Sequence, residues 1–383
     1  MASNKVYFKN LDSIRFIAAA LVYVEHGISQ SYQYLPIQNT IWERLLKMTQ
    51  YGAFDVSIFF VISGFLITFL LFNEYEMNSK IALRNFYIRR ALRTWPLYFA
   101  VLVFSFLIYP LFASFIGINI QHASNVFYHL AFLSNFDVLH LFENNLGMTN
   151  PLSLNVTWSI SVEEQFYLFW PLIFVFLPKR FWIHSIIVVI FGSLLFRIIN
   201  YNNTWVLYFH SISVVLDLAV GALMAYLIKK SSRVNSFFEN CSTYTHLILF
   251  IILFCLIFWS KPLFAFKYGE ALSTFFISIS VALIITAQAI TQSTSILNLQ
   301  NIKFANKWGK YTYGIYVLHP IVLIFMSLLV PLSPFATNNF AFTFSFGIIG
   351  FVLTLFFSKL SYKYFESRFL VFKKRFTTVE THP

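Results

Sequence analysis

Apolar residues run along this chain in long blocks that end at clusters of polar and basic residues. A block of about 20 apolar residues is long enough, as a helix, to cross the roughly 30 Å hydrocarbon layer of a bilayer. Such blocks lie at approximately 11–30, 52–73, 94–115, 156–178, 183–200, 206–228, 245–260, 269–290, 311–331 and 340–361. The pattern predicts an all-α, polytopic transmembrane bundle of about ten spans. A weaker block, Val126 to Phe142, is interrupted by His129, Asn135, Asp137 and His140, with Asn125 just before it.

The lysines and arginines decide whether that weaker block crosses. If it does not, and the N-terminus is cytoplasmic, 21 of the 27 basic residues fall on the inner side. Arg44, Lys47, Arg197, Lys261 and Lys267 then fall outside, and Arg15 sits within the first span. If the block crossed, most basic residues would lie outside, against the positive-inside rule. The expectation is therefore both termini in the cytoplasm, with 126–142 a partial, outward-facing hairpin. Backbone of that kind is tolerated at membrane depth only where protein or water surrounds it.

Composition agrees. Only 11% of the 383 residues are charged, against about 25% in ordinary soluble domains. The net charge of +12 could suggest nucleic acid, but an excess confined to alternate loops reads as membrane orientation. Lys5 and Lys9 precede a first span that itself holds Arg15, so no cleavable signal peptide is expected. Cys241 and Cys255 have no metal spacing and read as structural thiols. The reading is one membrane domain over residues 1–383, with a core of about 8–370 and a basic cytoplasmic tail at 371–383 lying on the inner leaflet.

Four polar stretches interrupt the apolar blocks. Arg15 and His26 stand eleven residues apart in the first span, about three turns and 16 Å, on nearly one face. Ionisable groups inside a span normally face a protein interior or a wet cavity; the alternative is an Arg15 that snorkels and a His26 that caps. Arg89, Arg90 and Arg93 enter the third span within one turn of each other and can form one cationic patch. Guanidinium forks suit phosphate, although basic residues there also serve topology.

Trp158-Ser159-Ile160-Ser161-Val162-Glu163-Glu164-Gln165 opens another span with two carboxylates about 100° apart, so only one is expected to face a cavity while the other caps or pairs. Tyr313, Tyr316 and His319 share a face of the ninth span. Ser63-Gly64 reads as close helix packing without chemistry.

Together these stretches resemble the acyltransferase-3 family of integral membrane acyltransferases, which includes bacterial O-antigen and exopolysaccharide O-acetylases. The likeness covers about residues 8–370. It rests on Leu-Asp-x-x-Arg with His26, Phe-Phe-Val-Ile-Ser-Gly-Phe-Leu-Ile-Thr, Phe-Tyr-x-Arg-Arg-x-x-Arg, Trp-Ser-x-Ser-Val-Glu-Glu-Gln-Phe-Tyr and Tyr-Gly-Ile-Tyr-x-x-His-Pro, in that order. Ser13, Phe16, Asp55, Ser57 and Ser367-Arg368 depart from the usual pattern. Some members carry an appended hydrolase-like domain, which is not expected here.

The resemblance implies acyl transfer, usually of acetyl, from cytoplasmic acyl-CoA to a sugar hydroxyl of a cell-surface or exported glycan, in a bacterial inner membrane. It implies no tightly bound cofactor and no metal; acyl-CoA is the donor substrate. On this reading His26 is the general base, oriented by Glu163 or Glu164. Arg15, Arg89, Arg90 and Arg93 bind acyl-CoA, while Trp158, Ser159, Ser161, Tyr313, Tyr316 and His319 line the acceptor site or channel. Expected partners are acyl-CoA, a glycan or glycolipid acceptor and the lipid bilayer, with no nucleic acid. A transporter or flippase would also use intramembrane Arg, His and Glu, but no internal repeat of the kind many transporters show is visible. A non-catalytic scaffold would tolerate loss of Arg15, His26 and Glu164 together.

Overall fold

The computed structural model describes residues 8–32, 53–117, 123–146, 151–291, 295–329 and 340–376, and among them there are helices and turns but no strand. Helices satisfy their own backbone groups, which is what a chain this apolar requires in lipid. The long elements are α1 (Lys9–Tyr32), α2 (Ala53–Asn78) and α3 (Leu83–Phe115), the last passing through a π-helical turn at Phe104–Ile108. After the short α4 (Val126–Leu130) and α5 (Ser134–Glu143) come α6 (Thr157–Phe176), α7 (Trp182–Ile199) and α8 (Ser211–Lys230). The remainder are α9 (Ser232–Glu239), α10 (Thr243–Phe258), α11 (Gly269–Ile290), α12 (Thr312–Leu329), α13 (Phe340–Ser361) and α14 (Ser367–Lys374).

Seven of the described helices are long and apolar enough to cross a membrane, and an eighth if α9 and α10, bent by 97° at their junction, form one span. The other two blocks expected to cross are α1 and α6. Both are helical, and both are interrupted by polar side chains: Asp12, Arg15, Glu25 and His26 on one, Glu163, Glu164 and Gln165 on the other. These two helices, which fall outside that count of seven, carry Arg15, His26 and Glu163 of the candidate site.

The bundle is closed tightest between α2 and α8. A Cβ on Gly64 would fall 1.8 Å from the Leu218 carbonyl oxygen, and one on Gly221 would fall 2.1 Å from that of Val61. Small residues let the two backbones touch, as membrane helices require when lipid is no worse a solvent than a partner helix. Gly64→Ala is expected to destabilise the fold by at least the ~1–3 kcal/mol typical of overpacking, read as a lowered thermal midpoint in detergent. Gly192→Ala, where an added Cβ meets nothing within 4 Å, should leave the midpoint unchanged or raise it.

Two further polar clusters hold the bundle. Arg197, expected in an outside loop, is instead buried at the end of α7. It donates to the carbonyls of Ala271 (2.8 Å) and Leu207 (3.0 Å) and to the hydroxyls of Ser213 (2.5 Å) and Thr274 (2.6 Å). A guanidinium stays inside because this fork of donors finds acceptors on three sides. Near it, Asp217 of α8 accepts from Ser57 at 2.8 Å and from Ser278.

The block 126–142 folds as two short helices, α4 and α5, joined at Phe132, whose φ is 54°. At five and ten residues neither can span. His129 ties the pair together, with Nε2 3.2 Å from Asp137 Oδ2 and Nδ1 3.1 Å from Thr157 Oγ1 on α6. Burial pushes the Asp137 carboxyl up, but hydrogen bonds from His129, the Asn125 N–H and Ser124 outweigh it and leave the group below its usual range. Gln165 donates to Phe132 O and Asn135 Oδ1, each at 2.8 Å. One side of this hairpin, with His129, Asn135 and Asp137, is buried against the bundle, while Phe127, Tyr128 and Leu130 on the other side are exposed.

Candidate functional site

A cavity of about 380 Å³ opens between α1, α2, α3, α6, α12 and the segment 362–373. Three cations reach it from two long helices: Arg15 on α1, and Arg90 and Arg93 on α3. Arg90 and Arg93 are three residues apart and share a face. They sit two to three turns inside α3, because that helix begins at Leu83, well before the block first read as the span. The Arg90 guanidinium lies 5.6 Å from the Tyr167 ring and 5.8 Å from the Phe86 ring, and its Nε is buried without a hydrogen-bond partner among the described residues. A cation held by ring faces keeps donors available for a ligand.

Two more cations come from places that periodicity did not single out. Lys310 stands in the turn before α12. There Gly309 lies so close to α1 that an added Cβ would be 2.4 Å from Asp12 Cβ. Lys373 is on α14. Helix α13 runs into a π-helical turn at Tyr362–Glu366 and continues as α14, which packs on α3. This helix extends into the segment 371–374 of the expected tail. That stretch is helix, and Lys373, 8% exposed, lines the cavity.

Five basic side chains, three of them guanidiniums, face three carboxylates, Asp12, Glu163 and Glu366, across the cavity. Asp12 pairs with Arg15 at 3.1 Å, and Glu366 accepts from Ser361 at 2.8 Å. Glu163 accepts from Ser63 at 2.5 Å and from Tyr167 at 3.1 Å. Ser63, read from sequence as packing alone, therefore also lines and organises the cavity.

At the other end the lining closes on Ser159 and Tyr316, whose hydroxyl oxygens are 2.6 Å apart; Tyr316 also donates to Val156 O at 3.2 Å. One turn beyond Tyr316 is His319, fully buried, with its ring 6.0 Å from that of Tyr316. His319 Nε2 is 2.8 Å from Nδ1 of His26, the half-buried histidine three turns along α1 from Arg15. The histidine pair thus lies behind the Ser159–Tyr316 contact, outside the cavity lining.

The residues singled out from sequence separate into groups. Arg15, Arg90, Arg93, Ser159, Glu163, Tyr313 and Tyr316 meet at the cavity. Arg89 points away, paired with Glu74 at 2.9 Å and donating to Phe376 O at 2.8 Å. Glu164 accepts from Thr94 (2.6 Å) and Trp95 (2.9 Å), so of the adjacent carboxylates one faces the cavity and the other pairs. Trp158 packs on Phe60, Tyr208 and Phe209. Ser161 is 2.7 Å from Ser134 in the hairpin. His26 takes His319 as partner, while both glutamates are bound elsewhere.

Among the residues missed, Asp12 had a signal, its i, i+3 spacing from Arg15. Glu366 and Lys373 had none, since a π-helical turn sets their direction.

A family model described as an acyltransferase domain matches residues 8–359. A protein named "Putative O-acetyltransferase" from Staphylococcus aureus strain COL is 28% identical over 378 residues, covering 95% of this chain and 57% of that protein. The O-acetyltransferase OatA of S. aureus strain NCTC 8325 is 26% identical over 334 residues, covering 82% of this chain and 52% of OatA. The chain thus spans little more than half the length of these relatives. No solved structure matches it.

Proposed function

The chain belongs to the acyltransferase-3 family, and from that premise we propose that it transfers an acetyl group from acetyl-CoA to a hydroxyl of a cell-surface or exported glycan. The observation that carries the reading is the cluster of Arg15, Arg90, Arg93, Lys310 and Lys373 around one cavity, three turns along α1 from His26. Coenzyme A is a polyanion with several phosphates. Guanidinium forks bind such groups bidentately, and lysines bind them as point charges.

The donor phosphates dock at the basic end, on the cytoplasmic side where acyl-CoA is made. The pantetheine arm then lies along α1 toward His26, about 16 Å from Arg15 at 1.5 Å per residue. To reach His26 the thioester must displace the contact between Ser159 and Tyr316.

His26 acts as general base. It takes the proton of the acceptor hydroxyl as that oxygen forms the new ester bond to the thioester carbonyl carbon. The C–S bond breaks, and the sulfur takes the proton back from His26 as CoA thiol leaves. Glu163, hydrogen-bonded by Ser63 and Tyr167, balances part of the cationic field and keeps the Arg90 and Arg93 side of the cavity in place. Glu163→Gln is expected to raise the KM for acetyl-CoA severalfold. Glu164→Gln keeps one oxygen to accept from Trp95, turns its N–H to the Thr94 hydroxyl, which can still donate to Arg90 O, and should leave that KM within twofold. Steady-state kinetics on the two variants decides this.

The full chain reconstituted in liposomes with acetyl-labelled acetyl-CoA and purified surface glycan tests the function. The expected product is base-labile label on the glycan, with one CoA thiol released per acetyl transferred. Label that crosses the bilayer without thiol release would instead support a transporter.

A further inference from the structure

We infer that His319 is a positioning residue that holds His26 in the one tautomer able to act as base through Nε2. The inference rests on the reading of His26 as general base. His319 Nδ1 lies 3.1 Å from the Ile315 carbonyl oxygen, four residues back on α12. A carbonyl can only accept, so Nδ1 of His319 bears its hydrogen, and the Nε2 of the neutral ring is bare. That bare nitrogen is 2.8 Å from His26 Nδ1, which must therefore be the donor.

The two rings are 10° from coplanar with centroids 5.1 Å apart. These are the dimensions of two imidazoles joined edge to edge through an N–H···N bond, not of rings stacked face to face. A neutral His26 with its hydrogen on Nδ1 has its lone pair on Nε2, and no further hydrogen bond to His26 is made among the described residues. His319 thus holds the place that a carboxylate or carbonyl takes behind a catalytic histidine elsewhere. It does so while fully buried and rigid on α12. When His26 takes up the substrate proton, its bond to His319 becomes charge-assisted and shortens, so the partner also favours the transfer state.

His319→Leu removes the acceptor, whereas His319→Gln can supply one through its side-chain oxygen. Transfer by the Leu variant is expected to fall about a hundredfold, within the range assigned to general-base catalysis. The KM for acetyl-CoA should stay within about twofold. The Gln variant should recover about tenfold over Leu. The double variant His26→Ala/His319→Leu should be no worse than His26→Ala alone, because residues acting as a unit are not additive.

A Leu variant with wild-type transfer, or losses that multiply in the double variant, would overturn the inference. Full transfer by His26→Ala alone would instead remove the general-base reading beneath it. Ring ¹⁵N resonances of the unmutated chain, assigned against His26→Ala, decide the tautomer without relying on any variant to fold. A pyridine-type Nε2 with a protonated Nδ1 on His26 is expected, and the reverse assignment contradicts the inference.

Discussion

His26→Ala is expected to lower acetyl transfer by about 10²–10⁴-fold, the contribution of a positioned general base, while the protein still folds and binds acetyl-CoA. The reason for the split is spatial. His26 lies behind Tyr316 and touches His319, away from the basic cavity, so its loss leaves the donor contacts intact. The half-buried ring is replaced by a good helix former, which keeps α1 helical. The variant should therefore lose kcat and keep its KM for acetyl-CoA. Equal loss of both, with unchanged expression, would move His26 into the donor site. No loss would take the base away altogether.

The second large effect is expected at the opposite end. Removing both Arg90 and Arg93 by alanine should raise the KM for acetyl-CoA at least a hundredfold. Each charged hydrogen bond contributes about 1.5–3 kcal/mol, and about 1.4 kcal/mol is tenfold in affinity. Among the described residues neither guanidinium hydrogen-bonds another side chain, and Arg90 rests on the rings of Tyr167 and Phe86. Their removal therefore costs ligand contacts more than protein contacts. Arg89→Ala is the contrasting case, since it breaks an ion pair with Glu74 inside the protein. It should lower the thermal midpoint and leave the KM within about twofold.

The helices were legible because apolar length alone decides them. The donor half of the site was legible in part because helical spacing fixes faces. Arg15, Arg90 and Arg93 converge as spacing allows, and the division of labour between Glu163 and Glu164 follows from 100° per residue. Spacing does not say which of several nearby partners a long side chain takes. Arg89 had the same register with Arg93 as a patch requires, and Glu74 captured it.

Contacts between distant segments carry no local signal. A separation of 293 positions between His26 and His319 hides the bond that joins them, and Glu163 or Glu164 stood as the expected partner for His26 instead. Lys373 looked like one of several basic tail residues, because nothing in its neighbourhood announces the π-helical turn that aims α14 back at the cavity. Ser63 was read by its neighbour Gly64, whose packing role is real, and the hydroxyl beside it went unassigned.

The most direct measurement is a structure of the full chain with acetyl-CoA bound. The account predicts phosphate oxygens within hydrogen-bond distance of Arg15, Arg90, Arg93 and Lys373. It also predicts that the pantetheine arm parts Ser159 from Tyr316 and brings the thioester carbonyl carbon beside His26. A nucleotide bound elsewhere, or an arm that ends in the cavity with the Ser159–Tyr316 contact intact, would contradict it.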